Sequence, residues 1–128
     1  MSTPRPAPDR AQTVAEWADV VAIGARFPGI VETTSYGTPS LKVRDKFLCR
    51  LRTNPDALVI RVIDVGDQEA LLLGQPDVFF TTPHYDNVPY VLVRLDAVDP
   101  AQLAELVEDA WRTQAPKRLI AQLDDGGG

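Results

Sequence analysis

The sequence predicts an α+β domain, with N- and C-terminal helices packed on one face of an antiparallel sheet. Two observations carry this. Helical periodicity is confined to the flanks, where Val14, Trp17 and Val21, and later Leu103, Leu106, Val107, Ala110 and Trp111, recur at intervals of three and four. Between the flanks run short β-branched or alternating segments, separated by Gly, Pro, Asn and Asp turn signals.

Residues 1–12 carry Pro4, Pro6 and Pro8, which cannot sustain a helical ladder, and read as a flexible arm. Thr13 and Glu16 form a capping box that opens the first helix, widened on its apolar side by Val20, Ile23 and Phe27. Pro28-Gly29 stops it. Residues 30–36 read as a strand, broken by Gly37 and Pro39. Residues 41–44 and 47–52 form a hairpin turning at Arg44-Asp45-Lys46, and Asn54-Pro55-Asp56 turns the chain into a strand over 58–63.

A short helix over 67–74 ends on a glycine C-cap and is followed by an extended piece over 77–80. Pro83 and Pro89 bracket a loop, and 90–95 is the last strand. Asp99-Pro100 is an N-cap followed by proline at the first helical position. Pro116 opens a final helix bearing Leu119, Ile120 and Leu123, and 124–128 reads as a flexible tail. The organisation is thus an arm, one domain over 13–123, and a tail.

The chain has 128 residues, 45% of them hydrophobic and 24% charged, which is a globular composition rather than a disordered one. Apolar runs reach only four or five residues, too short to span a bilayer. The first ten residues lack the apolar stretch of a secretory signal, and the single cysteine, Cys49, leaves no intrachain disulfide. A cytoplasmic location is the natural expectation.

The net charge of −5 is unevenly distributed. Residues 1–29 are neutral and residues 30–63 carry +3, whereas residues 64–128 set twelve acidic side chains against four basic ones. Alternation along the strands sharpens the basic middle. Leu41, Val43, Phe47, Cys49, Leu51, Leu58, Ile60, Val62, Val91, Val93 and Leu95 would share an apolar face beneath the helices. The opposite face would mix Lys42, Arg44, Arg50, Arg52, Arg61 and Arg94 with Leu48, Val59, Ile63, Tyr90 and Leu92. Such a face is either a solvated sheet surface or an interface, for nucleic acid, a second copy or a small anion.

Motifs of catalysis are scarce. There is no Walker loop and no Gly-x-Gly-x-x-Gly. One histidine and one cysteine cannot build a structural zinc site, so neither metal nor cofactor is expected. Cys49 has the parity of an inert core thiol. His84 is the one side chain that titrates near neutrality without a shifted pKa. It can hold its loop through backbone hydrogen bonds, contact a ligand, or act as a base with Asp86 as its nearest carboxylate in sequence.

Tyr36-Gly37-Thr38-Pro39-Ser40-Leu41-Lys42-Val43, Lys46-Phe47, Arg50-Leu51, Phe79-Phe80-Thr81-Thr82-Pro83-His84-Tyr85, Val91-Leu92-Val93-Arg94-Leu95, Ala110-Trp111 and Ala115-Pro116-Lys117-Arg118-Leu119 follow one another along the chain. This ordered set resembles the MmcQ/YjbR family of small bacterial proteins. The resemblance implies a frataxin (CyaY)-like α+β fold and carries the family's label of a double-wing DNA-binding protein. Iron binding of the frataxin kind does not transfer, because the first helix offers only Glu16 and Asp19. Arg44-Asp45 stands where a glycine-rich turn is usual.

The leading expectation is a non-enzymatic protein that binds DNA weakly and without sequence preference. Lys42, Arg44, Lys46, Arg50, Arg52, Arg61 and Arg94 would supply charge, and Tyr85 or Tyr90 a stacking surface. The alternatives are a homodimer or other protein–protein module using the same face, and a small-anion binder or enzyme with His84 in a cleft facing Lys117 and Arg118.

Overall fold

The computed structural model describes residues 15–53 and 56–126. The expected arm at 1–12, Thr13, and Asn54-Pro55 of the expected turn lie outside the described residues. Helix α1 spans Trp17–Gly24. Its N-cap is Glu16, whose backbone N–H donates to Asp19 Oδ2 at 2.8 Å, so the helix opens one turn beyond the Thr13 position read from the sequence.

Four strands follow as a meander: β1 Ile30–Ser35, β2 Thr38–Val43, β3 Lys46–Arg52 and β4 Ala57–Arg61. Both of the first two connections are two-residue loops with positive φ throughout, Tyr36-Gly37 at 54° and 78° and Arg44-Asp45 at 50° and 70°. That is the hairpin geometry whose twist matches the flanking strands. Pro39 is accommodated in β2 because it lies beyond the last rung to β3, Ser40 with Arg50.

Helix α2 (Val65–Gly74) is capped by Asp64, whose Oδ1 accepts from Asp67 N–H at 2.8 Å. Strands β5 (Phe79–Phe80) and β6 (Tyr90–Val93) and helices α3 (Pro100–Gln114) and α4 (Lys117–Gly126) complete the chain. The Asp99-Pro100 start of α3 is as the sequence implies: Asp99 Oδ2 accepts from the N–H groups of Ala101 and Gln102 at 3.0 and 3.3 Å. Helix α4 runs past Leu123, where the sequence suggested a tail. Its Asp124 is held by Arg112 of α3 at 2.8 Å, and Arg112 also pairs with Glu108 one turn away.

The six strands form one sheet in the order β1-β2-β3-β4-β6-β5, every neighbour antiparallel. Its helix side is the main core, where Leu41, Val43, Leu58, Ile60, Val91 and Val93 meet Leu103, Val107 and Trp111 of α3. Trp111 is fully buried, and its indole N–H donates to the Pro28 carbonyl at 2.9 Å. Gly29 has φ 83°, which favours glycine, and a Cβ there would lie 2.7 Å from Leu119 Cδ1 of α4, so that side chain would have to shift. Cys49 is an inert core thiol as expected, buried, with its pKa pushed up to about 12 by desolvation.

The structure corrects the parity of β3. Leu41 pairs with Cys49 but Lys42 pairs with Phe47, so Leu48 is an extra residue in a β-bulge. Leu48 and Cys49 therefore both enter the helix-side core, and Phe47, expected there, turns to the opposite face. Lys46 pairs with Val43 and is carried away from that opposite face by the same offset.

Candidate functional site

The face away from the helices is partly roofed. Ala57, Val59 and Leu92 form a second apolar cluster, each 0% exposed, although Val59 and Leu92 were expected on an open surface. Their cover is the 81–89 loop between β5 and β6, which brings Tyr85 down beside Phe80 and Tyr90. Gln68 of α2 anchors this loop. It is 3% exposed, its amide N–H groups donate to the carbonyls of Tyr85 and Tyr90 at 2.8 and 2.7 Å, and its Oε1 accepts from Asn87 N–H at 3.2 Å. Asn87 takes φ 64°, a conformation its short amide tolerates.

Between the loop and the β1–β2–β3 hairpins lies a groove of two adjoining basins. The first, about 340 Å³, is lined by Ser35, Tyr36, Lys42, Asp45, Phe47, Arg50, His84, Tyr85 and Tyr90. The second, about 360 Å³, is lined by Tyr36, Arg50, Arg52, Thr82, His84 and Tyr85. Tyr36, Arg50, His84 and Tyr85 belong to both. Arg50 Nη2 donates to the Tyr85 hydroxyl at 3.0 Å, Nη1 donates to Thr38 Oγ1 at 3.3 Å, and the guanidinium lies 5.1 Å from the centroid of Tyr36.

Strand pairing orders the rest of the face. Arg61 stands opposite Tyr90, with its guanidinium 5.8 Å from that ring, and its Nε–H donates to the Val62 carbonyl at 2.9 Å. Phe47 meets Tyr90 edge-on at 5.8 Å. Arg94 lies 4.3 Å over Phe80, at the β5 edge. Arginine therefore sits against a ring three times on one side of the sheet. Among the described residues, none of Lys42, Arg44, Lys46, Arg50, Arg52, Arg61 or Arg94 forms an ion pair; the pairs present belong to Arg112.

The residues read from the sequence thus separate. Lys42, Arg50, Arg52, His84, Tyr85 and Tyr90 converge on the groove, and Arg61 and Arg94 flank it on the same face. Arg44 occupies the exposed β2–β3 turn, and Lys46 follows the helix-side parity. Lys117 and Arg118 line neither basin: they open α4, whose Leu119 is in the helix-side core, so His84 faces no cleft formed with them. His84 is exposed and edge-on to Tyr85 at 4.7 Å, and makes no ion pair with Asp86. Tyr36, Phe47, Asp45 and Gln68 are the site residues that sequence reasoning missed. A Tyr-Gly dipeptide between two strands is the signal that could have placed Tyr36 on a hairpin tip.

Among the described residues no three His, Cys, Asp or Glu side chains gather in a metal-binding group, and no helix is long and apolar enough to cross a membrane.

A six-stranded antiparallel sheet backed by helices defines an α+β fold already seen in a crystal structure. DR2400 of Deinococcus radiodurans, described as a DUF419 domain, superposes with a TM-score of 0.70 at 21% identity, over 88% of this chain and 90% of that one. The chain belongs to the YjbR family, whose model matches residues 25–113. It is 36% identical over 121 residues to the uncharacterized proteins Rv2570 of Mycobacterium tuberculosis and Mb2600 of Mycobacterium bovis, covering 84% of this chain and 94% of each relative.

Proposed function

We propose that this chain is a non-enzymatic, cytoplasmic nucleic-acid-binding protein, and that the groove and its flanking arginines are the binding surface. The observation that carries the reading is the placement of Lys42, Arg50, Arg52, Arg61 and Arg94 on one side of the sheet, among aromatic rings and without an ion-pairing carboxylate among the described residues. Cations without a carboxylate partner among the described residues keep their charge available to phosphate, and the planar fork of a guanidinium suits it. His84 has no carboxylate paired with it among the described residues, which leaves the one general-base arrangement that the sequence offered without its second member.

Acidic side chains lie on the helices, Glu105, Glu108 and Asp109 among them, and would repel a polyanion there. Binding is therefore confined to one face, and it weakens steeply with salt. Fluorescence anisotropy with labelled oligonucleotides across a salt series tests the reading. Replacing Arg50 and Arg52 with Ala should lower the log–log slope by about one for each arginine–phosphate pairing that the substitutions abolish. No binding at low salt to any oligonucleotide, single- or double-stranded, would sink it.

A further inference from the structure

We propose that the groove takes single-stranded nucleic acid, two consecutive nucleotides at a time, and disfavours duplex. This rests on the nucleic-acid reading above and narrows it. The basins of about 340 and 360 Å³ lie at the small end of ligand-pocket volumes, about 300–1,000 Å³, with room for one unpaired nucleotide each and none for a double helix. The two basins share Tyr36, Arg50, His84 and Tyr85, of which Arg50 and Tyr85 are hydrogen-bonded to each other. Each basin also has a cation of its own, Lys42 in the first and Arg52 in the second. One charge on each side of a shared arginine matches successive phosphates of a strand.

The floor and walls carry ring faces. In a duplex the bases are stacked on one another and offer only their edges to a protein, so the faces of the groove's tyrosine rings find no base to stack on. An unpaired base has free faces to stack. Tyr36 is the best platform: it is 89% exposed, sits at φ 54° in its turn, and has Arg50 near one face of its ring. A large exposed ring in a conformation that L-residues disfavour contributes nothing to the core, and such outliers concentrate at sites of function. Asp45, on the rim of the first basin, is the one carboxylate lining the groove among the described residues, and it opposes binding there.

The test compares a labelled oligothymidylate of about twelve nucleotides, a length within the usual single-strand site sizes, with a blunt duplex of the same length at low salt. The full chain should bind the single strand about tenfold tighter or more. Tyr36→Asn removes the ring but suits positive φ, so the fold is kept; it should weaken single-strand binding about tenfold and duplex binding by a clearly smaller factor. Equal or tighter duplex binding, or an unchanged single-strand affinity in Tyr36→Asn, overturns the single-strand inference and leaves the broader reading standing. Failure to bind either oligonucleotide overturns both.

Discussion

Arg50 and Tyr85, thirty-five residues apart in the chain, are joined by a 3.0 Å hydrogen bond from guanidinium to phenol, which ties the middle of the sheet to the loop that crosses it. The bond fixes the arginine at the centre of the groove and the tyrosine over Val59 and Leu92 at once. Tyr85→Phe keeps the ring and removes the acceptor. It should destabilise the fold by about 1 kcal/mol in urea denaturation, the net worth of an ordinary hydrogen bond, and weaken oligonucleotide binding by freeing Arg50.

Gln68 has more at stake because all of its polar atoms are used and it is almost closed to water. Gln68→Leu leaves the Tyr85 and Tyr90 carbonyls and the Asn87 N–H without that partner. A loss of about 2–3 kcal/mol is expected, from the penalty for unpaired buried groups. Amide hydrogen exchange should report faster exchange through 81–89 than through β3, because the anchor of the loop is what was removed.

The β2–β3 turn separates strain from binding. Arg44 holds φ 50° without a glycine's freedom, and it lines neither basin. Arg44→Asn should raise stability by about 1 kcal/mol, since asparagine tolerates the left-handed region, with only a small change in oligonucleotide affinity. Asp45→Asn should do the reverse at the site: it strengthens oligonucleotide binding, and the gain fades as salt is raised. A loss of affinity in Arg44→Asn as large as that in Arg50→Ala would place Arg44 on the binding surface.

The acidic helices make a pH-dependent contribution. Burial and the charges of Asp67, Glu108 and Glu105 raise the pKa of Asp109. The folded state therefore holds that proton more tightly than the unfolded state, and the ionised carboxylate opposes folding at neutral pH. Asp109→Asn should stabilise at pH 7 by about 0.5 kcal/mol or less, the scale of exposed charge interactions. The gain should shrink as pH falls through the raised value and vanish well below about 4, the ordinary aspartate range, where both states are protonated. Asp124 runs the other way. Its pKa is lowered, chiefly by the hydrogen bond from Arg112, so its stabilisation is present above the ordinary aspartate value and lost as pH falls through the lowered one. Thermal midpoints of the chain and of Asp109→Asn between pH 7 and pH 3 would separate the two.

The elements that depend on local chemistry were legible in the sequence. Asp99-Pro100 announced α3, the spacing of Leu103, Val107 and Trp111 marked its buried side, and the order of the strands followed their turn signals. The basic face was also legible, because alternation alone places Lys42, Arg50, Arg52 and Arg61 together. Two features were not. The exchange of Phe47 and Leu48 arises from one unpaired residue, which alternation assumes away. The roof over Val59 and Leu92 depends on a glutamine in a distant helix meeting two carbonyls, a tertiary fact with no local signature. Tyr36 was in view only as part of a strand; its role as a rim follows from the turn type.

The extra residue at position 48 uncouples chain length from sidedness in β3. Counting back from Arg50, two residues occupy the space of one, so the hairpin beyond is rotated by half a pleat relative to the strand that carries the arginines. Removing Leu48 would shorten the strand without changing its faces, with Phe47 still opposite Lys42 and Lys46 still opposite Val43. Keeping the residue but closing the bulge would instead send Phe47 into the helices and Lys46 into the groove, exchanging a ring for a charge in the first basin. In relatives of this chain, the presence or absence of the bulge at a fixed strand length would thus change what the groove presents as much as a set of point mutations could.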